Sequence, residues 1–409
     1  MNHMNSKTVI VLGVAAAVAI AIAAGITLSR KPVAQTAQAA SEVLPGLADH
    51  VNDVTRISLS GPGQKPIATL EKSDTRWTLK EKGGYPADTG KVREYLLKLS
   101  QARLSEPKTT NEQRYAGIGV GDIADADAKG MLVVLDGLPQ PAQLIVGIMN
   151  PRSDATYVRR AGDKQSWLAR GSLVPDKTAA NWLDKRVADI PATRVREVVW
   201  SRPDGKPVRL FKSQPSDTNY ALAELPKGRE LAADFATNTQ ATVLAGLNFD
   251  DVVAAAEAPP PADGKVYRAT FTSFDGLVVD VTGWKKDEKF HAQFAARKDA
   301  VLFDASVAAA QAKARSEWEA QQAAQPAAPD NAARPAAATP PLAVADPAKD
   351  KAQRGADIDA EVATLSQRFA GWTFVLPQHK AANLEKSSDE FLKPLADTKS
   401  EARKPAAAK

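Results

Sequence analysis

LVPDKTAANWLDK (residues 173–185) and VLPQHKAANLEK (375–386) are two versions of one closing phrase. Each follows a strand-like segment with a tryptophan, Ser166–Ala169 or Trp372–Leu376. Each then runs through a prolyl turn, a lysine and Ala-Ala-Asn into a short helix ending in an acidic residue and lysine. Working outward, the elements before each phrase also come in the same order. In the first half, strands are predicted at 54–60, 68–72 and 77–81. A helix from Asp88 follows, with Val92, Tyr95, Leu96 and Leu99 at i, i+3, i+4 and i+7. A loop over 109–129 then leads to strands at 131–135, 144–147, 156–160 and 166–169. In the second half, strands are predicted at 196–201, 208–212 and 220–222, a helix at 231–247, and strands at 267–274, 277–284 and 290–295. Matching order and matching closing phrases predict an internal duplication.

The expected fold is α+β: two similar tandem units of mainly antiparallel sheet with helices, preceded by one N-terminal transmembrane helix. The expected boundaries are a tail and anchor at 1–31, a stalk at 32–48, unit 1 at 49–190, unit 2 at 191–390 and a flexible tail at 391–409. One insertion, at 305–370, breaks the symmetry. It reads as two helices, 306–322 and 352–369, joined by a Pro/Ala-rich, semi-extended linker in a protruding hairpin.

The anchor is the 21-residue uncharged run Thr8–Leu28, TVIVLGVAAAVAIAIAAGITL. As a helix it spans roughly 31 Å, close to the thickness of a bilayer's hydrocarbon core, about 30 Å. Ala37-Gln38-Ala39 offers a cleavage site but lies well past the run, which favours an uncleaved anchor over a cleaved signal peptide. Positive charges flank both ends almost equally, so orientation rests on size, with the short tail in the cytoplasm and the body in the periplasm. Gly13, Ala17, Ala21 and Gly25 recur every four residues and form a small-residue face suited to packing against another transmembrane helix. The competing explanation is composition, since nine of the 21 residues are alanine or glycine.

Composition narrows the chemistry. The 409 residues contain no cysteine, which removes disulfides, thiolate metal sites and a thiol nucleophile. Four dispersed histidines fit no metal motif. Lysine and arginine (53) barely exceed aspartate and glutamate (48), so no nucleic-acid footprint is expected. Gly117–Asp122 is glycine-rich but lacks the strand, helix and remaining motif residues of a phosphate loop. Asp122, Asp125 and Asp127 depart from calcium-loop spacing and read as a solvated loop. Ser105 and Lys108 satisfy a Ser-x-x-Lys pattern that Pro107 opposes, leaving a plain exit from the helix. The seven tryptophans read chiefly as core. No catalytic, cofactor-binding or metal-binding residue is assigned.

Three blocks, LADHVNDVTRISLS (47–60), TRWTLKEKGGYPADTGKVREYLLKLSQARLSEPKT (75–109) and YVRRAGDKQSWLARGSLVPDKTAANWLDKRVADIPATRV (157–195), resemble the bacterial domain family of unknown function numbered 4340. The resemblance extends from about Leu44 to Val195 and, by the repeat, more weakly to Lys386. It implies a single-span envelope protein, often encoded beside an ABC-type exporter whose permease resembles a gliding-motility component. It carries no catalytic motif. The expected function is therefore a non-enzymatic accessory or adaptor in the bacterial inner membrane, with a permease and other envelope proteins as partners. A binding module for a glycan, lipid or peptide is the alternative. The cargo and any small-molecule ligand are not legible.

Overall fold

The computed structural model describes residues 41–324 and 339–394. The run Thr8–Leu28, with Gly13, Ala17, Ala21 and Gly25, lies outside them, as do the middle of the Pro/Ala segment and the tail from 395. Among the described residues no helix is long and apolar enough to cross a membrane.

The fold is α+β, with large antiparallel sheets and helices. The first stretch of chain forms β1 (Arg56–Ser60), β2 (Pro66–Ser73), β3 (Arg76–Leu79), β4 (Tyr85–Pro86), helix α1 (Thr89–Gln101), β5 (Leu104–Pro107), β6 (Met131–Asp136), β7 (Ala142–Met149), β8 (Ala155–Arg160) and β9 (Trp167–Arg170). There follow β10 (Arg186–Ala188), β11 (Val195–Ser201), β12 (Val208–Phe211), β13 (Ala221–Leu222), β14 (Leu247–Asn248), β15 (Asp251–Ala254), β16 (Tyr267–Ser273), β17 (Leu277–Lys286) and β18 (Lys289–Lys298). Helices α2 (Ala300–Ala323) and α3 (Pro347–Phe369), strand β19 (Trp372–Leu376) and helix α4 (Gln378–Glu385) complete the chain. Contacts divide it into two compact units. Among the described residues, one holds those through Thr69 with Gly90–Pro175, and the other Leu70–Thr89 with those from Asp176.

In the first unit the strand order is β1-β6-β7-β8-β9-β5, antiparallel throughout. Alternation dictates the face of each strand: Ile57 and Leu59 on β1, and Met131, Val133 and Leu135 on β6, are buried. Helix α1 buries Val92, Tyr95, Leu96 and Leu99, the face its spacing predicts. Burying one such side chain contributes about 1.5–3 kcal/mol. The chain entering this unit is tied down at once. Arg160 donates from Nε to the Val43 carbonyl (2.8 Å) and from Nη2 to that of Glu42 (2.7 Å), and the Leu104 amide donates to Ser41 (2.8 Å).

In the second unit the order is β11-β16-β17-β18-β19-β15, again antiparallel, with β12 and β13 beyond β11. Position by position this is the order of the first unit: β1 corresponds to β11, β6 to β16, β7 to β17, β8 to β18, β9 to β19, and the early strand β5 to the early strand β15. The hairpin β2–β3 has its counterpart in β12–β13. Aromatic rings fill the core, with Phe374 5.6 Å from Phe249 and 5.8 Å from Phe294 between ring centres.

Three local expectations are corrected. The helix predicted at 231–247 shrinks to Asn238–Ala241. Its polar residues bond elsewhere: the Thr237 hydroxyl donates to the Tyr220 carbonyl (2.7 Å), and Asn238 accepts from the Tyr220 amide (3.1 Å) and donates to Asn219 (2.7 Å). The helix expected after Pro175 is a single tight turn, Ala179–Trp182. There Asp176 accepts from the Thr178 amide and the Asn181 side chain while the Trp182 indole donates to the Asp176 carbonyl, so local bonds replace the helical ladder. The insertion also differs from a protruding hairpin. Helix α3 lies on β18, with the Phe369 ring 5.3 Å from Phe294 and Lys298 3.1 Å from Asp359. Its buried Ile358, Leu365 and Phe369 require a sheet to cover, whereas α2 buries only Phe303 and Val307.

Candidate partner-binding groove

The residues singled out by sequence fall into structural roles. Gly119, at φ +71°, ends the helical turn Tyr115–Ile118 and donates its amide to Tyr115. Its neighbours pack backbone to backbone on β7, where a Cβ on Gly147 would meet the Ile118 carbonyl oxygen at 2.3 Å. Gly119 thus serves close packing, whereas Gly117 has open space around its Cβ position. Asp122 accepts from the Ala124 amide (3.0 Å), closing its own turn. Among the described residues no three His, Asp or Glu side chains are grouped to hold a metal ion. Ser105 lies on edge strand β5 rather than on a helix exit, and its hydroxyl donates to the Leu168 carbonyl (2.8 Å), while Lys108 pairs with Glu106 (2.7 Å). Pro107 is tolerated on such an edge. Trp77, Trp182, Trp200 and Trp284 are buried; Trp167, Trp318 and Trp372 are half-buried.

The two units treat one turn differently. Between β1 and β2 runs Ser60-Gly61-Pro62-Gly63-Gln64-Lys65-Pro66, and between β11 and β12 runs Ser201-Arg202-Pro203-Asp204-Gly205-Lys206-Pro207. This Ser-x-Pro-x-x-Lys-Pro signature was the sequence signal for the site, and reading the strands without comparing their turns misses it.

In the first copy the turn is covered by the chain's own loop. The amides of Gly63 and Gln64 donate to the carbonyls of Asp125 (3.1 Å) and Ile123 (3.0 Å), and the Ile123 side chain is buried. The loop is itself clamped by Arg159, only 9% exposed, which donates to the carbonyls of Val120 (2.8 Å) and Asp163 (3.0 Å) and sits 4.8 Å from the centre of the Tyr115 ring. That cover comes from the 23-residue connection 108–130 between β5 and β6.

The equivalent connection in the second copy, 255–266 between β15 and β16, has 12 residues. No residue of it lines the β11–β12 turn, which opens on a groove of about 960 Å³. Val208, Leu222, Pro226 and Tyr267 give the groove apolar surface. Trp200, almost wholly buried, donates from its indole to the Lys386 carbonyl (3.0 Å) and so fixes residues 386–388 as one wall. Four cationic side chains, Arg202, Lys206, Arg209 and Lys386, face two acidic ones, Asp204 and Glu224. Arg209 is paired with Glu197 at 2.6 Å. The Arg202 and Lys206 side chains are exposed and make no hydrogen bond or ion pair among the described residues. The arrangement suits recognition: apolar surface, fixed walls and uncommitted charge.

A second cleft in the same unit, about 540 Å³, is lined by Tyr85 and Trp372 with Arg76, Arg368 and Asp184. Tyr85 stands edge-on to Trp372 at 5.0 Å, and Arg368 is 3.8 Å from Asp184. Burial, aided by the Asp184 charge, pushes the Tyr85 hydroxyl above the ordinary tyrosine value, so it stays a neutral donor and acceptor.

These features define a class: an α+β protein of like-ordered antiparallel sheets carrying an open, basic-rimmed groove. Residues 77–269 match the family model described as Domain of unknown function (DUF4340), the family that the sequence blocks resemble. The match starts later and ends later than the strong resemblance at 44–195, running from β3 through β16. No curated protein and no solved structure matches the chain.

Proposed function

We propose that this protein is a membrane-anchored periplasmic accessory or adaptor protein of an envelope ABC-type transport complex, acting without catalysis of its own, and that its body arose by duplication of one sheet module. The observation that carries the reading is the unequal treatment of one turn, closed by the chain's own loop in the first copy and left as an open groove in the second. An exposed groove with uncommitted cations on a duplicated scaffold is what a docking protein needs. The anchor Thr8–Leu28, with its small-residue face, would hold that scaffold in the bacterial inner membrane beside a permease.

The test is purification of the full chain from its own membranes in mild detergent. Permease and ATPase subunits are expected to accompany it in fixed ratio, and a clean preparation of this protein alone would overturn the reading. A second reading, a binding module for an envelope glycan, lipid or peptide, is favoured by the Tyr85–Trp372 cleft. Soluble cell-wall glycan fragments would then raise the melting temperature, and Trp372→Ala would abolish the rise.

A further inference from the structure

We propose that the groove at the Arg202–Pro207 turn binds an extended acidic peptide segment of another protein, at the place where the first copy's turn holds its own Ile123–Asp125. The inference deepens the adaptor reading and rests on it.

The first copy supplies the template. There the chain Gly121-Asp122-Ile123-Ala124-Asp125-Ala126-Asp127-Ala128 crosses the turn, giving backbone carbonyls to the amides of Gly63 and Gln64 and burying Ile123 as an apolar anchor. That stretch carries three aspartates, while the only charged residue of the turn is Lys65. In the second copy no residue of the β15–β16 connection, which is 11 residues shorter, lines the groove. The turn has also changed character, with Arg202 in the position of Gly61 and Lys206 in that of Lys65. The Gly205 amide closes on the Arg202 carbonyl (3.1 Å), so the turn holds its shape without a cover.

What remains open is apolar surface from Val208, Leu222 and Tyr267 beneath a rim with cations in excess. A segment with one aliphatic anchor and flanking carboxylates complements both features. Charge complementarity of this kind sets partner choice and raises association rates. The rim's acidic groups, Asp204 and Glu224, disfavour a fully polyanionic ligand.

The probe is the fluorescein-labelled peptide GDIADADA, residues 121–128, titrated by fluorescence anisotropy into the full chain in detergent micelles at low ionic strength. Saturable binding is expected, weakened by about ten-fold or more in Arg202→Glu/Lys206→Glu, with the Asp-to-Asn peptide, and on raising salt. Lys65→Glu, in the closed copy, is expected to leave binding unchanged. Both exchanged side chains of the double variant are exposed and unpartnered, so its melting temperature is expected to match that of the parent. No saturable binding, or equal binding by the double variant, would overturn the proposal. Concentration-dependent dimerisation abolished by the double exchange would make a second copy the occupant and would also overturn it. Co-purifying subunits retained by the double variant would reject the groove but spare the adaptor reading. Peptide binding without any co-purifying subunit would reject the adaptor reading alone.

Discussion

Arg159 shows how much of the first copy's closed state hangs on one side chain. Its guanidinium is almost buried, and removing it strands the Val120 and Asp163 carbonyls that it satisfies. Arg159→Met is therefore expected to cost about 2–4 kcal/mol. The check is a thermal melt, combined with limited proteolysis that should now cut within 115–129. His291 gives a pH signature. Burial is the main cause holding its imidazole below the usual histidine value, with Lys286 and Lys289 acting the same way and the Lys289 carbonyl and Asp287 against them. The folded state thus takes up this proton less readily than the unfolded chain. Its contribution to stability is whole above about pH 6.5 and is lost as the pH falls from there through the folded-state value. His291→Gln should flatten the fall in melting temperature between pH 7 and 5, and an undiminished fall would assign it to other groups. Neither residue stands out in the sequence, because an arginine or histidine looks alike whether it serves a carbonyl, a ring or solvent.

At the scale of elements, periodicity made most strands and helix α1 legible: Ile57 and Leu59, or Val92 through Leu99, announce their faces. Connections were less so. Helix 231–247 failed because Thr237 and Asn238 had tertiary backbone partners that no local pattern reveals. The glycines of 117–121 read as a loop in the sequence, but the close approach of Ile118 and Gly119 to β7 is visible only in the fold, where Gly147 lies against Ile118. Two glycines separate these causes. Gly147→Ala is expected to destabilise by about 2–4 kcal/mol, since backbone must move to admit a methyl group. Gly162→Ala, at φ +86° with open space around its Cβ, is expected to cost about 1 kcal/mol. Denaturant melts of the two variants give both numbers, and equal losses would refute the packing argument.

At the scale of the molecule, the matching closing phrases announced the like-ordered sheets, but the groove was not announced. It arises from a difference in loop length between copies, 23 residues against 12, and only the strand order shows which loops to compare. The small-residue face of the proposed anchor belongs here too. Ala17→Leu/Ala21→Leu is expected to weaken co-purification of partner subunits while the protein stays in the membrane fraction, and unchanged co-purification would reduce the segment to a tether. The proposed function of the molecule turns on the open copy being the docking copy. Its most direct measurement is purification of the parent chain and of Arg202→Glu/Lys206→Glu side by side from native membranes, with the bound subunits quantified. The parent is expected to bring transport-complex subunits in fixed ratio, and the variant, equally membrane-bound and equally stable, to lose most of them. Equal recovery by both, or a bare protein in each, would contradict the account.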